Sequence, residues 1–437
     1  MSSSKNNQTE TANSLDFKKL KIISAVGRGA KGVVFLARTG YRSSDECLAL
    51  KVTSKALIHQ KNAKNNSKGS GEYKRASFEE EVLRRFDHPL LPRLRGVFET
   101  EKIVGFAIDY CHGGNLHSLR KKQTEKMFSD DAIRFYAAEL VLALEYLHHQ
   151  GIVYRDLKPE NVMIQENGHI MLVDFDLSTK LKAKSPTQSL SNDSSDRSKS
   201  NLSKEKHTKK RLISRFSRCN SGISPCDSDF DSQPGVNSVN RNESESVESV
   251  EKSNSFVGTE DYVAPEIVLG KGHGFEVDWW SLGVVLHEML YGTTPFNGTN
   301  RKETFYRILS KEPELTGEKT ALRDLIRKLL EKDPDRRIKV DEIKGHDFFK
   351  GVMWDRVVEL ARPPYIPCIE VENENTKGYS KKYVEVFVHE VFFPEGGDNN
   401  EEKKNKMEDK KVNGEDKTGW VDKLSNSLNE DEDFLIF

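Results

Sequence analysis

Two hydrophobic periods run along this chain and divide it. Over Leu20–Val26, and again over Leu48-Ala49-Leu50-Lys51-Val52, apolar residues fall in short runs of strand length. After Ser129 the spacing changes. Ile133, Tyr136, Leu140, Leu144 and Leu147 recur every three or four positions. That puts them on one face of a helix reaching about His149, with Ser129 as its N-cap. Such a stripe reads as core rather than as a cofactor box. A shorter helix is predicted over Ser77–Phe86, where Ser77 serves as a cap.

Elsewhere the pattern fails. Residues 1–16 are polar and expected to be disordered. Residues 178–254 are rich in Ser, Asn, Lys and Asp. They cannot bury enough apolar surface to offset their ordering entropy, so an internal disordered insertion is expected there. Residues 370–430 are charged and expected to be mobile. What remains is a β-rich stretch over about 17–110 and a mainly helical one over about 111–349, an α+β arrangement.

Composition narrows the class. The 437 residues are 35% apolar and 31% charged, with a formal charge of −1. Near-neutral charge gives no argument for nucleic acid. The five cysteines, Cys47, Cys111, Cys219, Cys226 and Cys368, lack metal-ligand spacing and suggest no disulfide framework, which fits a reducing compartment. No apolar run approaches the ~18 residues of a membrane span, and no signal-peptide core is present. A monomer that is neither secreted nor transmembrane, cytoplasmic or nuclear, is expected.

The chemistry is concentrated in two motifs. Residues 154–161 read Tyr-Arg-Asp-Leu-Lys-Pro-Glu-Asn, and Asp174-Phe175-Asp176 follows. Phosphoryl transfer needs one acid to orient and deprotonate a hydroxyl, and an acid and an amide to hold magnesium. Asp156 suits the first task; Asn161 and Asp174 suit the second. Upstream, Gly27-Arg28-Gly29-Ala30-Lys31-Gly32-Val33-Val34 is a glycine-rich turn between strands. It lets the backbone approach phosphate oxygens, and it lacks the Gly-Lys-Ser/Thr ending of a Walker loop. Lys51, inside an apolar strand, needs an anionic partner. Glu79, Glu80 and Glu81 compete for that task, and counting back from His88-Pro89 selects Glu79.

In these motifs the chain resembles the eukaryotic protein kinases, a bilobal fold with a β-rich small lobe and a mainly helical large lobe. Further matches are Gly258-Thr259-Glu260-Asp261-Tyr262-Val263-Ala264-Pro265-Glu266, Asp278-Trp279-Trp280-Ser281-Leu282-Gly283, and Arg337 placed to pair with Glu266. Lys158 is the serine/threonine-type residue, and Tyr154 in place of histidine is similar to the AGC group. The long 178–254 insertion and Asp-Phe-Asp in place of Asp-Phe-Gly resemble plant AGC kinases of subgroup VIII, nearest the oxidative signal-inducible branch. That implies a non-specific serine/threonine protein kinase using ATP and Mg2+, with Mn2+ as an alternative, in stress, defence or growth signalling.

The resemblance also implies roles. Lys51 and Glu79 position phosphates, Lys158 steadies the γ-phosphate, and Thr259 bridges catalytic loop and substrate platform. Asp109-Tyr110-Cys111 forms the adenine hinge behind Ile108 as gatekeeper, and Asn115 stands on the ribose side. Ser255 is the activation phosphosite, its phosphate pairing with Arg155, with Ser253 as a neighbour open to confusion. Glu160 and Glu288 would hold substrate arginine, favouring the position two before the target. Lys74-Arg75-Ala76-Ser77 then offers an autophosphorylation site, against the simpler cap reading of Ser77. Asp176 would restrict the flip of Phe175. A thiol at Cys111 invites a redox reading, against a plain hinge residue.

Two peripheral segments carry regulatory expectations. Lys204–Arg218 interleaves basic residues with Leu212, Ile213 and Phe216. A solvated charge run, a nuclear address and an anionic-lipid patch at the plasma membrane compete for it. Residues 350–437 resemble an AGC tail, with Arg362-Pro363-Pro364-Tyr365-Ile366-Pro367 wrapping back toward the small lobe. Its end, with Phe434 and Phe437, resembles the hydrophobic motif that docks an upstream phosphoinositide-dependent kinase or the chain's own small lobe. The competing class is a scaffold that has lost catalysis, but none of the catalytic groups is missing.

Overall fold

The computed structural model describes residues 15–29, 32–39, 46–64, 78–181, 252–360, 362–368, 379–393 and 435–436. In chain order the strands are β1 (Leu20–Arg28), β2 (Gly32–Thr39), β3 (Cys47–Ser54), β4 (Leu94–Glu99), β5 (Ile103–Asp109), β6 (Ile152–Val153), β7 (Val162–Ile164), β8 (Ile170–Leu172), β9 (Thr179–Lys180) and β10 (Leu435–Ile436). The helices are α1 (Lys55–Lys64), α2 (78–83), α3 (Leu116–Lys121), α4 (Asp130–His149), α5 (Pro265–Val268), α6 (Glu276–Tyr291), α7 (Arg301–Ser310), α8 (Ala321–Leu329), α9 (Val340–Lys344), α10 (Val357–Leu360) and α11 (Lys381–Phe392).

The small lobe is one sheet in the order β10-β1-β2-β3-β5-β4. Neighbours from β1 to β4 are antiparallel, and β10 lies parallel to β1. Along β3, burial alternates with the period of two that a strand imposes. Leu48, Leu50 and Val52 enter an apolar cluster on one face, which leaves Ala49 and Lys51 to line a cleft on the other. The register puts Val34 opposite Lys51, so the glycine-rich turn and the lysine are neighbours. Gly32 permits this packing, because a Cβ there would lie 2.4 Å from the carbonyl oxygen of Val52.

The large lobe is built on α4 and α6. Ser129 caps α4 by accepting the N–H of Ala132 at 3.3 Å, and Ile133, Tyr136, Leu140, Leu144 and Leu147 are all buried. The sequence expectation for this helix holds. Helix α6 is buried from Val277 to Met289, and Trp280 stacks on Phe296 at 5.5 Å. Short strand pairs, β7 with β8 and β6 with β9, carry the loops that face the cleft.

Three expected boundaries shift. Ser178–Leu181 is ordered, because β9 pairs with β6 and Leu181 is buried, and Ser253 bridges His273 at the far end of the insertion. Leu15 donates its N–H to the carbonyl of Val97, so the folded part begins before residue 17. The expectation that 370–430 is mobile fails at α11, whose Val384, Phe387, Val388 and Val391 are buried on the back of the small-lobe sheet. Between these regions Pro367 packs close to Gly113, and Tyr365 runs past Gly168. The tail thus passes beside the hinge before α11 covers the small-lobe sheet.

Candidate active site

Lys51 is the pivot of the cleft. Its Nζ lies 2.9 Å from both oxygens of Glu79, 3.0 Å from Asp174 and 3.7 Å from Asp176. Burial alone would lower its pKa, but Asp174, Glu79 and Asp176 outweigh that and hold the ammonium well above its ordinary value. Burial pushes Glu79 up to about 7; Lys51 pulls it down, while Asp176 and Asp174 push the same way as burial. Of the three competing glutamates, Glu80 and Glu81 instead pair with Arg84 and Arg85 on the helix surface. Of the three, Glu79 is the one that lies against Lys51.

The catalytic loop is held from beneath. Asp278 accepts the N–H groups of Tyr154 at 2.9 Å and Arg155 at 2.7 Å, and contacts His148 at 2.8 Å. These bonds fix Arg155 at φ 69°, a left-handed conformation that a side chain disfavours. Phe175 is buried between Phe86 and Tyr154, with ring centroids 4.8 and 5.4 Å away. Its N–H points to Glu79 at 3.3 Å.

Above this brace the reacting groups converge. Thr259 Oγ1 donates to Asp156 at 2.7 Å, and Lys158 Nζ lies 3.3 Å from Thr259 and 3.2 Å from Asp156. Asn161 donates from Nδ2 to the carbonyl and side chain of Asp156. Its Oδ1 is buried with no hydrogen-bond partner. A buried oxygen left open is costly unless something occupies it. This oxygen and the carboxylate of Asp174, held at φ 59°, are both hard-oxygen donors of the kind that suits magnesium. When bound, such an ion neutralises charge on transferring phosphate. This arrangement leaves Asp156 able to orient an acceptor hydroxyl and take its proton, with the Lys158 ammonium as a cation beside it.

The cleft wall suits a purine. Val26, Val34, Ala49, Met163 and Val173 line it, with Ile108, Asp109, Tyr110 and Cys111 along the hinge. Cys111 is buried against Met171, and burial followed by the charge of Asp109 pushes its thiol far up. A thiol held protonated this way is a poor redox sensor, which favours the plain hinge reading. Asn115 is buried, and its side-chain oxygen caps α3 through the N–H of Ser118 at 2.8 Å. That structural task was hidden in the ribose-side expectation. Arg28, expected among the nucleotide contacts, sends its guanidinium to the carbonyl of Val391 at 3.1 Å. Gly27, Gly29, Gly32, Val33 and Val34 form the rest of the described turn; Ala30 and Lys31 lie outside the described residues.

The activation segment meets the catalytic loop at Arg155. Its Nη1 lies 2.6 Å from Ser255 Oγ and 3.1 Å from Ser253 Oγ, and Nε donates to the carbonyl of Leu177 at 2.6 Å. His273 adjoins this group at 3.4 Å, and burial, then Arg155, lowers its pKa to about 4. The imidazole is therefore neutral beside the guanidinium at neutral pH.

The two acids expected to select substrate differ. Glu288 is buried, bonded to Arg120 at 2.8 Å and to the Tyr262 hydroxyl at 2.5 Å. Both of its oxygens have internal partners. Glu160 is raised mainly by burial; its Oε1 lies 3.0 Å from His117, and Oε2 is buried with no hydrogen-bond partner. Nothing along the chain signals this contrast, because Arg120 and Tyr262 are distant from Glu288 in sequence.

Comparison with known proteins agrees with this geometry. The family described as protein kinase domain matches residues 20–210 and 240–349. The chain is 56% identical over 435 residues to serine/threonine-protein kinase OXI1 of Arabidopsis thaliana, covering 97% of each protein. It is 44% identical over 368 residues to the Arabidopsis serine/threonine-protein kinase UCNL, covering 81% of this chain and 84% of that protein. Over 377 residues it is 38% identical to phototropin-1A of Oryza sativa subsp. japonica, covering 84% of this chain and 36% of the phototropin.

Proposed function

The chain belongs to the protein kinase family as a serine/threonine kinase of the plant AGC group, and on that premise we propose that phosphorylation of Ser255 switches it on. One observation carries this reading: Arg155, next to Asp156 in sequence, reaches Ser255 Oγ at 2.6 Å. A phosphate on that oxygen would bring nearly two negative charges to the guanidinium and form charge-assisted bonds. This would order the segment leading to Thr259, which touches Asp156.

The upstream enzyme in this reading is a phosphoinositide-dependent kinase that docks on the chain end. Phe434 and Phe437 lie outside the described residues, as do Ser77 and the basic segment Lys204–Arg218. Between the two aromatics, the backbone of Leu435–Ile436 pairs with Gly27–Arg28, which supports a small-lobe seat for the end when no partner holds it. Substrates with arginine two before the target are favoured through Glu160, whose open oxygen is the acceptor a guanidinium lacks. Glu288 would serve only by exchanging Arg120. Magnesium is the ion proposed at Asn161 and Asp174. The basic segment fits an anionic lipid surface, and the signalling output implied by resemblance is plant stress, defence or growth. Among the described residues no helix is long and apolar enough to cross a membrane.

Deleting Phe434–Phe437 tests the docking step. Ser255 phosphorylation by the upstream kinase is expected to fall severalfold, in line with coupling free energies of roughly 1–3 kcal/mol. An unchanged rate would remove the chain end from the mechanism.

A further inference from the structure

Helix α11 does more than cover apolar surface, because its last turn ends against the glycine-rich turn. Val384, Phe387, Val388 and Val391 join Ile22, Val33, Phe35 and Leu50 in one cluster. The Phe387 ring meets Phe35 edge-on at 5.7 Å. This is the sheet face opposite the cleft. At the start of the tail helix, Tyr379 bridges Ile22 through its N–H at 2.8 Å, and Glu385 accepts the Thr100 hydroxyl at 2.7 Å.

The far end of α11 carries the inference. The last carbonyls of a helix have no partner within it, and they carry the negative end of its dipole. Arg28 Nη2 donates to the carbonyl of Val391 at 3.1 Å, and its guanidinium lies over the Phe392 ring at 5.4 Å. Arg28 stands between Gly27 and Gly29, in the glycine-rich turn. A second observation points to the same place. Strand β10 pairs Leu435 with Gly27 and Ile436 with Arg28. Two separate pieces of the tail therefore meet at Arg28.

We propose that Arg28 is a positioning residue through which the C-terminal tail holds the glycine-rich turn in place over ATP. Glycines on either side leave this backbone loose, and ordering it on nucleotide binding costs free energy. The Arg28 latch bears part of that ordering before ATP arrives. Arg28 acts on the nucleotide through the backbone of the turn, and Phe392 acts through Arg28. The inference rests on kinase activity and ATP use alone, and is independent of the Ser255 switch.

The test uses the full chain and four variants: Arg28→Ala, Phe392→Ala, the double substitution and Arg28→Lys. KM for ATP and kcat are measured together with hydrogen exchange of the Gly27–Val33 amides. Each alanine substitution is expected to raise KM for ATP about fivefold with little change in kcat. The double variant is expected to be no worse than Arg28→Ala, since the two residues act as one unit. Arg28→Lys keeps a cation at the helix end and is expected to restore most of the affinity. Exchange at Gly27–Val33 is expected to speed up in both alanine variants. An unchanged KM in Phe392→Ala, or effects that multiply in the double variant, would overturn the proposal, as would unaltered exchange.

Discussion

Arg155 Nη1 lies 2.6 Å from Ser255 Oγ, although the two residues are a hundred positions apart and flank the polar insertion. The left-handed backbone of Arg155 and its bonds to Asp278 and Leu177 aim the guanidinium at the activation segment. Arg155→Ala should therefore uncouple phosphorylation from activity. The expected result is a loss of at least about tenfold in the stimulation produced by Ser255 phosphorylation, with the phosphate still present by mass spectrometry. Full stimulation in the variant would mean that the phosphate acts elsewhere.

The pair Glu266–Arg337 is expected to govern stability. Both side chains are almost fully buried, and the two bonds measure 2.7 and 3.0 Å. Arg337→Ala strands a buried carboxylate and should lower stability by roughly 3–5 kcal/mol. Urea unfolding checks this; a loss below about 1 kcal/mol would place the pair with surface ion pairs instead.

Glu79 gives the cleft a pH dependence with opposite signs for stability and binding. Burial raises its carboxyl to about 7, against the opposing pull of Lys51. Because the folded pKa exceeds the unfolded one, Glu79 contributes stability below the unfolded value of 4.5 and loses it as pH rises through about 7. The ion pair with Lys51 runs the other way, forming as Glu79 ionises. Below about pH 7, ATP affinity is expected to fall while stability relative to Glu79→Gln rises. Calorimetric ATP titration and unfolding at several pH values, each on both proteins, measure the two trends. Identical pH profiles for wild type and Glu79→Gln would contradict the assignment.

Much of the site was legible because phosphoryl transfer demands particular side chains at fixed spacings. Asp156, Asn161 and Asp174 announce themselves in two short motifs, and Lys51 is conspicuous as a charge within an apolar strand. Partners remote in sequence were not legible. Nothing near Glu288 signals Arg120, and nothing near Arg28 signals Val391. Helix α11 did leave a trace, since Val384, Phe387, Val388 and Val391 follow the helical period. The surrounding charged stretch masked it, and its sheet partner lies more than three hundred residues earlier. In the Asp-Phe-Asp segment it is Asp174 that takes a positive φ. Asp176 is instead a third carboxylate near Lys51.

The most direct test of the account is phosphate transfer from labelled ATP to a basic protein, comparing wild type with Asp156→Ala. Both are assayed with and without the phosphoinositide-dependent kinase, using a catalytically dead upstream enzyme as the background control. Asp156 is the group that Thr259, Lys158 and Asn161 converge on, so its loss should remove at least about a hundredfold of the rate. Wild-type transfer that rises with the upstream kinase and collapses in the variant is the expected result. Equal transfer by wild type and Asp156→Ala would contradict the account, and would deny the converging residues their catalytic role.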